Sequence, residues 1–316
     1  MSKSEKPVAI VVGASRGIGR QVAIDLARNG YAVVVAAKTT SDASKCHPFP
    51  PDPNSPASTI NTVAREISSE NNEAYPIQVD VRSHAAMQSL IQTTGDKFGR
   101  IDVLIYNSGA IWWSSITKTP MKRFRLMQSI NPEGLYGCVQ EVLPWMTRRG
   151  TGEGRIVVIS PPIYRRFLKG KTAYAMGKWG MSALTMGLAV DFEREGLDGM
   201  AITSLWPAVA IESAATQSSS AEETRQSLRK PTIFSDAILS ILRASPKDVS
   251  GKCLLDEDYL REHDGIQDFS KYALVPGSTP RRIMPARLPD LRVEEEDDEG
   301  VRIDSTESRS GRETKL

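Results

Sequence analysis

Apolar residues in this chain gather into seven short runs, at 7–12, 31–36, 75–80, 101–106, 154–160, 200–205 and 252–256. The first reads Pro7-Val-Ala-Ile-Val-Val12 and the second contains Tyr31-Ala-Val-Val-Val35. Runs this short, rich in β-branched residues and apolar at consecutive positions, read as strands covered on both faces. Between them the apolar positions change to helical spacing. From Gln21 to Asn29, for example, Val22, Ala23, Leu26 and Ala27 fall on one side of a helix. Strand and helix in alternation predict an α/β fold: a doubly wound, mostly seven-stranded parallel sheet of Rossmann type, with helices on both faces. A chain of 316 residues can build this as one large domain with a substantial core.

The first strand runs directly into Gly13-Ala-Ser-Arg-Gly17-Ile-Gly19, and the first helix follows. Strand, glycine turn and helix form the context in which backbone N–H groups meet a phosphate at the positive end of a helix. The spacing is GxxxGxG rather than GxGxxG. After the second strand, an NAD site usually places an acid against the ribose 2′-hydroxyl. None occurs here before Asp42. Lys38 stands there instead, and Arg16 sits within the glycine turn. Two cations suit a 2′-phosphate, so the expected cofactor is NADP(H).

The fifth run ends at Ser160, and Tyr174-Ala-Met-Gly-Lys178 follows. Tyr174 and Lys178 are four apart, so a helix places them on one face. A phenol titrates near pH 10, and an adjacent ammonium should pull that value down toward a range useful for proton transfer. A serine hydroxyl could hold a carbonyl oxygen against the phenol. Taken alone, a Tyr and a Lys at this spacing are commonplace. After a glycine turn they suit the reduction of a ketone or the oxidation of an alcohol.

Together these residues resemble the short-chain dehydrogenase/reductase family over roughly residues 7 to 257. Gly13, Gly17 and Gly19 match its glycine turn, with Ser15, Arg16 and Ile18 as cofactor contacts inside it. Asp80 matches the acid that contacts adenine, and Asn107-Ser-Gly-Ala110 matches a segment after the fourth strand. Pro207, in Trp206-Pro207-Ala208, matches a position beside the cofactor. Asn131, Ser160, Tyr174 and Lys178 match the catalytic residues. The resemblance implies that Tyr174 exchanges the proton, Lys178 tunes it and bonds the nicotinamide ribose, Ser160 orients the carbonyl, and Asn131 holds Lys178 through water. A narrower likeness, in Ala36-Ala-Lys-Thr39, Ile159-Ser-Pro-Pro162, Leu255-Asp-Glu257 and the stretch from Gly265 to Gly277, is to the dehydrogenase domain of hydroxysteroid-dehydrogenase-like, peroxisome-associated proteins. The chain departs from the pattern at Ala110, Ala208 and Glu212, where glycine, glycine and threonine are usual. Ser213 stands beside Glu212 as a substitute donor.

The expected activity is an NADP(H)-dependent interconversion of carbonyl and alcohol on an apolar substrate, acyl or lipid-like. Secondary-metabolite ketones or aldehydes form an alternative substrate class, and a non-catalytic dinucleotide-binding module or redox sensor an alternative function. Pocket walls are expected from Ile111-Trp112-Trp113, Pro161-Pro162-Ile163-Tyr164 and the loop after Pro207, with a polar lid at 211–227. The cations Arg165, Arg166, Lys169 and Lys171 either stay solvated or meet an anionic substrate. Gly180, Ala183 and Gly187 share a helix face with little side-chain bulk, and by family likeness this face implies a homodimer or homotetramer.

A net charge of +2 excludes a nucleic-acid footprint. Cys46, Cys138 and Cys253 have neither metal nor disulfide spacing, so no metal is expected and a reducing compartment fits. No apolar stretch is long enough to span a bilayer, and the first residues lack a signal-peptide core. A soluble protein is expected. Residues 41–56 read as a surface insertion beside the adenosine end of the cofactor. Residues 1–280 are expected to form the dehydrogenase domain, and 281–316 a disordered acidic and polar tail with the run Glu294-Glu-Glu-Asp-Asp-Glu299. The ending Thr-Lys-Leu316 reads either as accidental, leaving a cytoplasmic protein, or as a variant peroxisomal address.

Overall fold

A computed structural model describes residues 5–147, 152–216 and 222–291. Seven strands form one parallel sheet in the order β3-β2-β1-β4-β5-β6-β7. They are β1 Val8–Val12, β2 Ala32–Ala37, β3 Ala74–Gln78, β4 Val103–Tyr106, β5 Gly154–Ile159, β6 Met200–Trp206 and β7 Cys253–Leu255. Among the described residues ten α-helices accompany them: α1 Gly17–Arg28, α2 Ile60–Ser69, α3 His84–Phe98, α4 Met121–Ile130, α5 Pro132–Thr147, α6 Thr172–Arg194, α7 Glu222–Gln226, α8 Thr232–Arg243, α9 Pro246–Val249 and α10 Asp256–His263. Each strand lies within two residues of its expected run.

The sheet is apolar on both faces because both are covered. In β1, Ala9 and Val11 join the core under α1, α2, α8 and α10, whereas Val8, Ile10 and Val12 join the core under α3, α5 and α6. All five are fully buried. The sheet order reverses between β1 and β4, so the chain leaves the carboxyl ends of these strands in opposite directions. In open parallel sheets a ligand cleft forms at that point. The glycine turn, Asn107, Ser160 and Pro207 all lie at this edge.

Bonds between distant segments brace the sheet at both edges. At the amino edge, where β1 and β4 begin, Val8 N–H donates to Asp102 Oδ2 at 2.7 Å. After β6, the peptide of Ala208 is held on both sides. Its N–H donates to Asp256 Oδ1 at 2.8 Å, and its carbonyl accepts from Ile283 N–H at 2.9 Å and Met284 N–H at 3.2 Å. The compact unit therefore continues to Ala286, past the boundary expected at 280. Residues 281–286, expected to belong to a disordered tail, pack on the domain because Arg282 forms a two-pronged bond to Asp258, at 2.6 and 2.7 Å. Residues 287–291 carry no helix or strand. The acidic run, the Thr-Lys-Leu ending and residues 217–221 of the expected lid lie outside the described residues.

Residues 41–56 reach the glycine turn. Pro53 O accepts from Gly17 N–H at 3.1 Å, and just beyond the insertion Ser58 Oγ donates to Ser15 O at 2.7 Å. Among the described residues no helix is long and apolar enough to cross a membrane, and no cluster of His, Cys, Asp and Glu could hold a metal ion.

Burial pushes the Asp256 carboxyl up to about 7, and its Oδ2 has no partner. A carboxyl raised above its unfolded value contributes stability that is full below about pH 3.9 and lost as pH rises through the folded value. Urea unfolding should show stability falling by on the order of 1–3 kcal/mol between about pH 5 and about pH 7. Asp256→Asn, which keeps an oxygen for Ala208, should flatten that fall. A wild-type curve that does not decline there, or declines equally in the variant, contradicts the assignment.

Candidate active site

The glycine turn is shaped by what would collide with a side chain. Gly13 has φ +88°, and a Cβ there would stand 2.7 Å from Ser108 N. A Cβ on Gly19 would overlap Gly13 O and the Asn107 amide. That space is filled by a bond, Asn107 Nδ2 to Gly13 O at 2.9 Å, which ties the end of β4 to the turn. Gly17 has φ +56°, a backbone region that glycine enters without cost. Arg16 is extended and brings the chain into α1.

Two clefts open side by side over this turn and share Arg16, Asn107 and Gly109. The first, of about 480 Å³, is lined by Gly13, Ser15, Arg16, Lys38, Asp80 and Asn107 among others. Asp80 bonds Arg82 at 2.5 Å and lies 3.3 Å from Lys38 Nζ. The bond to Arg82, with help from Lys38, holds the Asp80 carboxyl well below the usual carboxylate range. Arg82 also lines this cleft. It is absent from the sequence expectations, although its place two residues after Asp80 was a usable signal.

The second cleft, of about 500 Å³, contains Tyr174 and Lys178, with Arg16, Gly17, Ile18, Ile159 and Pro207 on its lining. Lys178 Nζ donates to Ile159 O at 2.7 Å. Burial lowers this ammonium to about 7. Burial also pushes the Tyr174 phenol up, the reverse of the expected lowering by Lys178. The charged form of each group loses its water on burial, which disfavours the ionisation of both.

Asn131 sits at the break between α4 and α5, fully buried. Its Oδ1 accepts from Ala110 N–H at 2.8 Å and its Nδ2 donates to Ala110 O at 3.2 Å. Lys178 Nζ and Asn131 Oδ1 both stand over Gly109: a Cβ there would lie in ordinary contact with them, at 3.4 and 3.5 Å.

Ser160 is not brought to the cleft. It is fully buried, and its hydroxyl donates to Ser204 Oγ at 3.0 Å on β6. The next two positions, Pro161 and Pro162, have no N–H to offer in its place. Glu212 is also absent from the cleft lining, whereas Ser213 is on it. Thr216 fixes Ser213 by accepting its N–H at 2.9 Å.

The walls are more apolar than the loop composition suggested. Ile111, Trp113, Trp206, Ile211, Ala214 and Ala215 line the cleft, and Trp113 meets the Tyr174 ring edge-on at 6.3 Å. Trp112 lies instead beneath the Arg123 guanidinium, 4.6 Å from its centroid. None of Arg165, Arg166, Lys169 and Lys171 lines the cleft. Lys171 rests on the Phe167 ring at 4.1 Å, so of the two readings of these cations the anion-meeting one finds no rim at the Tyr174 cleft.

The short chain dehydrogenase pattern matches residues 7–48 and 54–224, breaking within the 41–56 insertion. Hydroxysteroid dehydrogenase-like protein 2 of Xenopus tropicalis is 35% identical over 269 residues, covering 84% of this chain and 60% of that protein. The chain thus spans less than two thirds of that relative's length. A short chain dehydrogenase from Mycobacterium thermoresistibile is 33% identical with a TM-score of 0.75, over 87% of this chain and 93% of that one. A 7α-hydroxysteroid dehydrogenase solved with NADH and 7-oxo glycochenodeoxycholic acid is 26% identical with a TM-score of 0.63, over 80% and 93%. A pattern that spans the chain from β1 beyond Lys178, and a likeness in structure that extends over most of the remainder, make this protein a member of the short chain dehydrogenase family of oxidoreductases.

Proposed function

We propose that the protein interconverts a carbonyl and an alcohol on an apolar substrate, with NADP(H) as the cofactor. The observation that carries this is the burial of Tyr174 and Lys178 in one cleft that opens onto the glycine turn. The paired clefts fit a dinucleotide. Gly13 and Gly19 leave no room for a side chain where a pyrophosphate must approach. Ile18 and its neighbours at the start of α1 offer the positive end of a helix. Asp80 is an ionised acceptor for the adenine end, and Arg16 and Lys38 are donors for a 2′-phosphate. Ser213, rather than Glu212, is the hydroxyl available to the nicotinamide carboxamide.

When bound, the nicotinamide supplies the hydride for reduction or accepts it in oxidation. Tyr174 Oη gives its proton to the carbonyl oxygen in one direction and takes it back in the other. Lys178, held against Ile159 O, favours the phenolate when it is protonated. Asn131 keeps the Ala110 segment beside Lys178. The apolar walls exclude water, which strengthens each of these interactions. In this scheme Ser160 joins β5 to β6 and does not orient the substrate. A non-catalytic dinucleotide binder is the second reading, and the turning of Ser160 away from the cleft favours it.

Tyr174→Phe separates the two. It should lower turnover by about 10²–10⁴-fold while NADPH affinity, followed by fluorescence, stays within error. Ser160→Ala should change kcat by less than about ten-fold, because the hydroxyl faces Ser204. Full activity in Tyr174→Phe sinks the mechanism, and a collapse in Ser160→Ala returns that serine to the substrate.

Lys38→Ala should weaken NADPH by about ten-fold or more and leave NADH nearly unchanged, since a charged hydrogen bond of about 1.5–3 kcal/mol is lost only with the 2′-phosphate. Titrating both dinucleotides against the variant decides it, and equal losses argue against NADP(H) recognition by Lys38.

A second copy of the chain is proposed to cover the groove between α5 and α6. This groove, of about 640 Å³, is lined by Tyr136, Val139, Leu143, Leu184, Gly187 and Leu188 among others, and Tyr136 is 60% exposed. Sedimentation should show a dimer or tetramer, and Leu184→Glu should yield monomer. A wild type that is monomeric at micromolar concentration contradicts this.

A further inference from the structure

Three large apolar side chains remain exposed around the Tyr174 cleft: Ile111 at 47%, Trp113 at 65% and Ile283 at 55%. A single exposed apolar residue is ordinary. Three that converge on one concave site mark the place where an apolar ligand is covered. Ile111 and Trp113 follow β4, as the sequence implied. Ile283 comes from the segment that the sequence placed in a polar tail.

That segment is built to present Ile283. Arg282 bridges Val209 in antiparallel fashion, and in extended chain alternate side chains face opposite ways. Arg282 turns to Asp258. Met284 is buried with Ala208 and Leu255, against Tyr164 and Trp206. Ile283, between them, lines the cleft. Its N–H is held by Ala208 O, and the Arg282 guanidinium also donates to the carbonyls of Met284 and Pro285, both at 2.9 Å. The backbone is fixed on each side of a side chain that is itself largely uncovered.

We propose that residues 281–286 form the outer wall of the substrate cleft and that Ile283 sets the preference for long apolar substrates over short ones. The wall rests on the carbonyl reductase reading for its substrate class. The arm is a fixed wall, not a moving lid, because Arg282 and Met284 anchor it on the body. Removing the Ile283 side chain widens the cleft at this wall and leaves Tyr174 in place, so substrate binding changes and the chemical step does not.

The test compares the wild type with Ile283→Ala, Ile283→Leu and Arg282→Ala, using butanone and its long-chain analogue methyl octyl ketone. Quenching of tryptophan fluorescence reports occupancy of a cleft lined by Trp113 and Trp206, whether or not NADPH is consumed. Wild type should bind the long ketone about ten-fold or more tighter than butanone, and Ile283→Ala should shrink that margin to roughly three-fold or less. Ile283→Leu should restore it, and Arg282→Ala should shrink it by releasing the arm. In NADPH turnover the loss should fall on KM for the long ketone, with kcat unchanged. An Ile283→Ala margin equal to that of wild type overturns the proposal, as does a wild type that binds both ketones alike or neither. Quenching as expected without any NADPH consumption leaves the wall standing and instead removes the reductase reading.

Discussion

A phenol and an ammonium are sunk in one cleft, where burial disfavours the charged form of each. Desolvation holds Tyr174 protonated, and the same desolvation brings Lys178 down to about 7. Both shifts come from burial, and they oppose the simple expectation that an ammonium pulls a neighbouring phenol down. Tyr174 is thereby kept as the neutral phenol, and Lys178 is brought to where it gains and loses its proton near neutral pH. A positive charge placed near the phenol would reverse the balance, because Coulomb interactions in a dry site are several times stronger than in water.

The rest of the fold can be understood as the frame for that burial. Parallel strands covered on both faces bring four loop regions to the carboxyl edge, and each is tied to a distant segment by one to three bonds. Asn107 ties the fourth strand to the glycine turn, Asn131 ties the α4–α5 break to Ala110, and Lys178 ties its helix to the end of the fifth strand. Asp256 and residues 283–284 hold the peptide after the sixth strand from both sides. Each bond closes a loop over long sequence separation, so the described cleft is held by contacts within the chain. That preorganisation is what a proton donor requires if it is to meet its substrate without a large rearrangement.

Much of this was legible in the sequence. Strands buried on both faces leave continuous apolar runs, and all seven were visible for that reason. The glycine turn and the Tyr174–Lys178 spacing were visible because each rests on a local geometric rule. Three features were not. The direction of the Ser160 hydroxyl depends on Ser204, far along the chain, and no local pattern encodes it. The packing of residues 281–286 depends on Asp258 and on a carbonyl at Ala208, while these residues head a long stretch, 281–316, whose composition is polar. The direction of the Tyr174 shift depends on how deeply the pair is buried, which only the assembled aromatic walls decide.

The most direct measurement is the ionisation of Tyr174 itself, followed by the ultraviolet difference absorbance of phenolate as pH is raised, with and without NADP⁺. The cationic nicotinamide should draw the phenol down into or below the ordinary tyrosine range, giving one early-titrating phenolate that is missing from Tyr174→Phe. A titration unaffected by NADP⁺, or one in which wild type and Tyr174→Phe coincide, would contradict a buried Tyr174–Lys178 centre poised by cofactor charge.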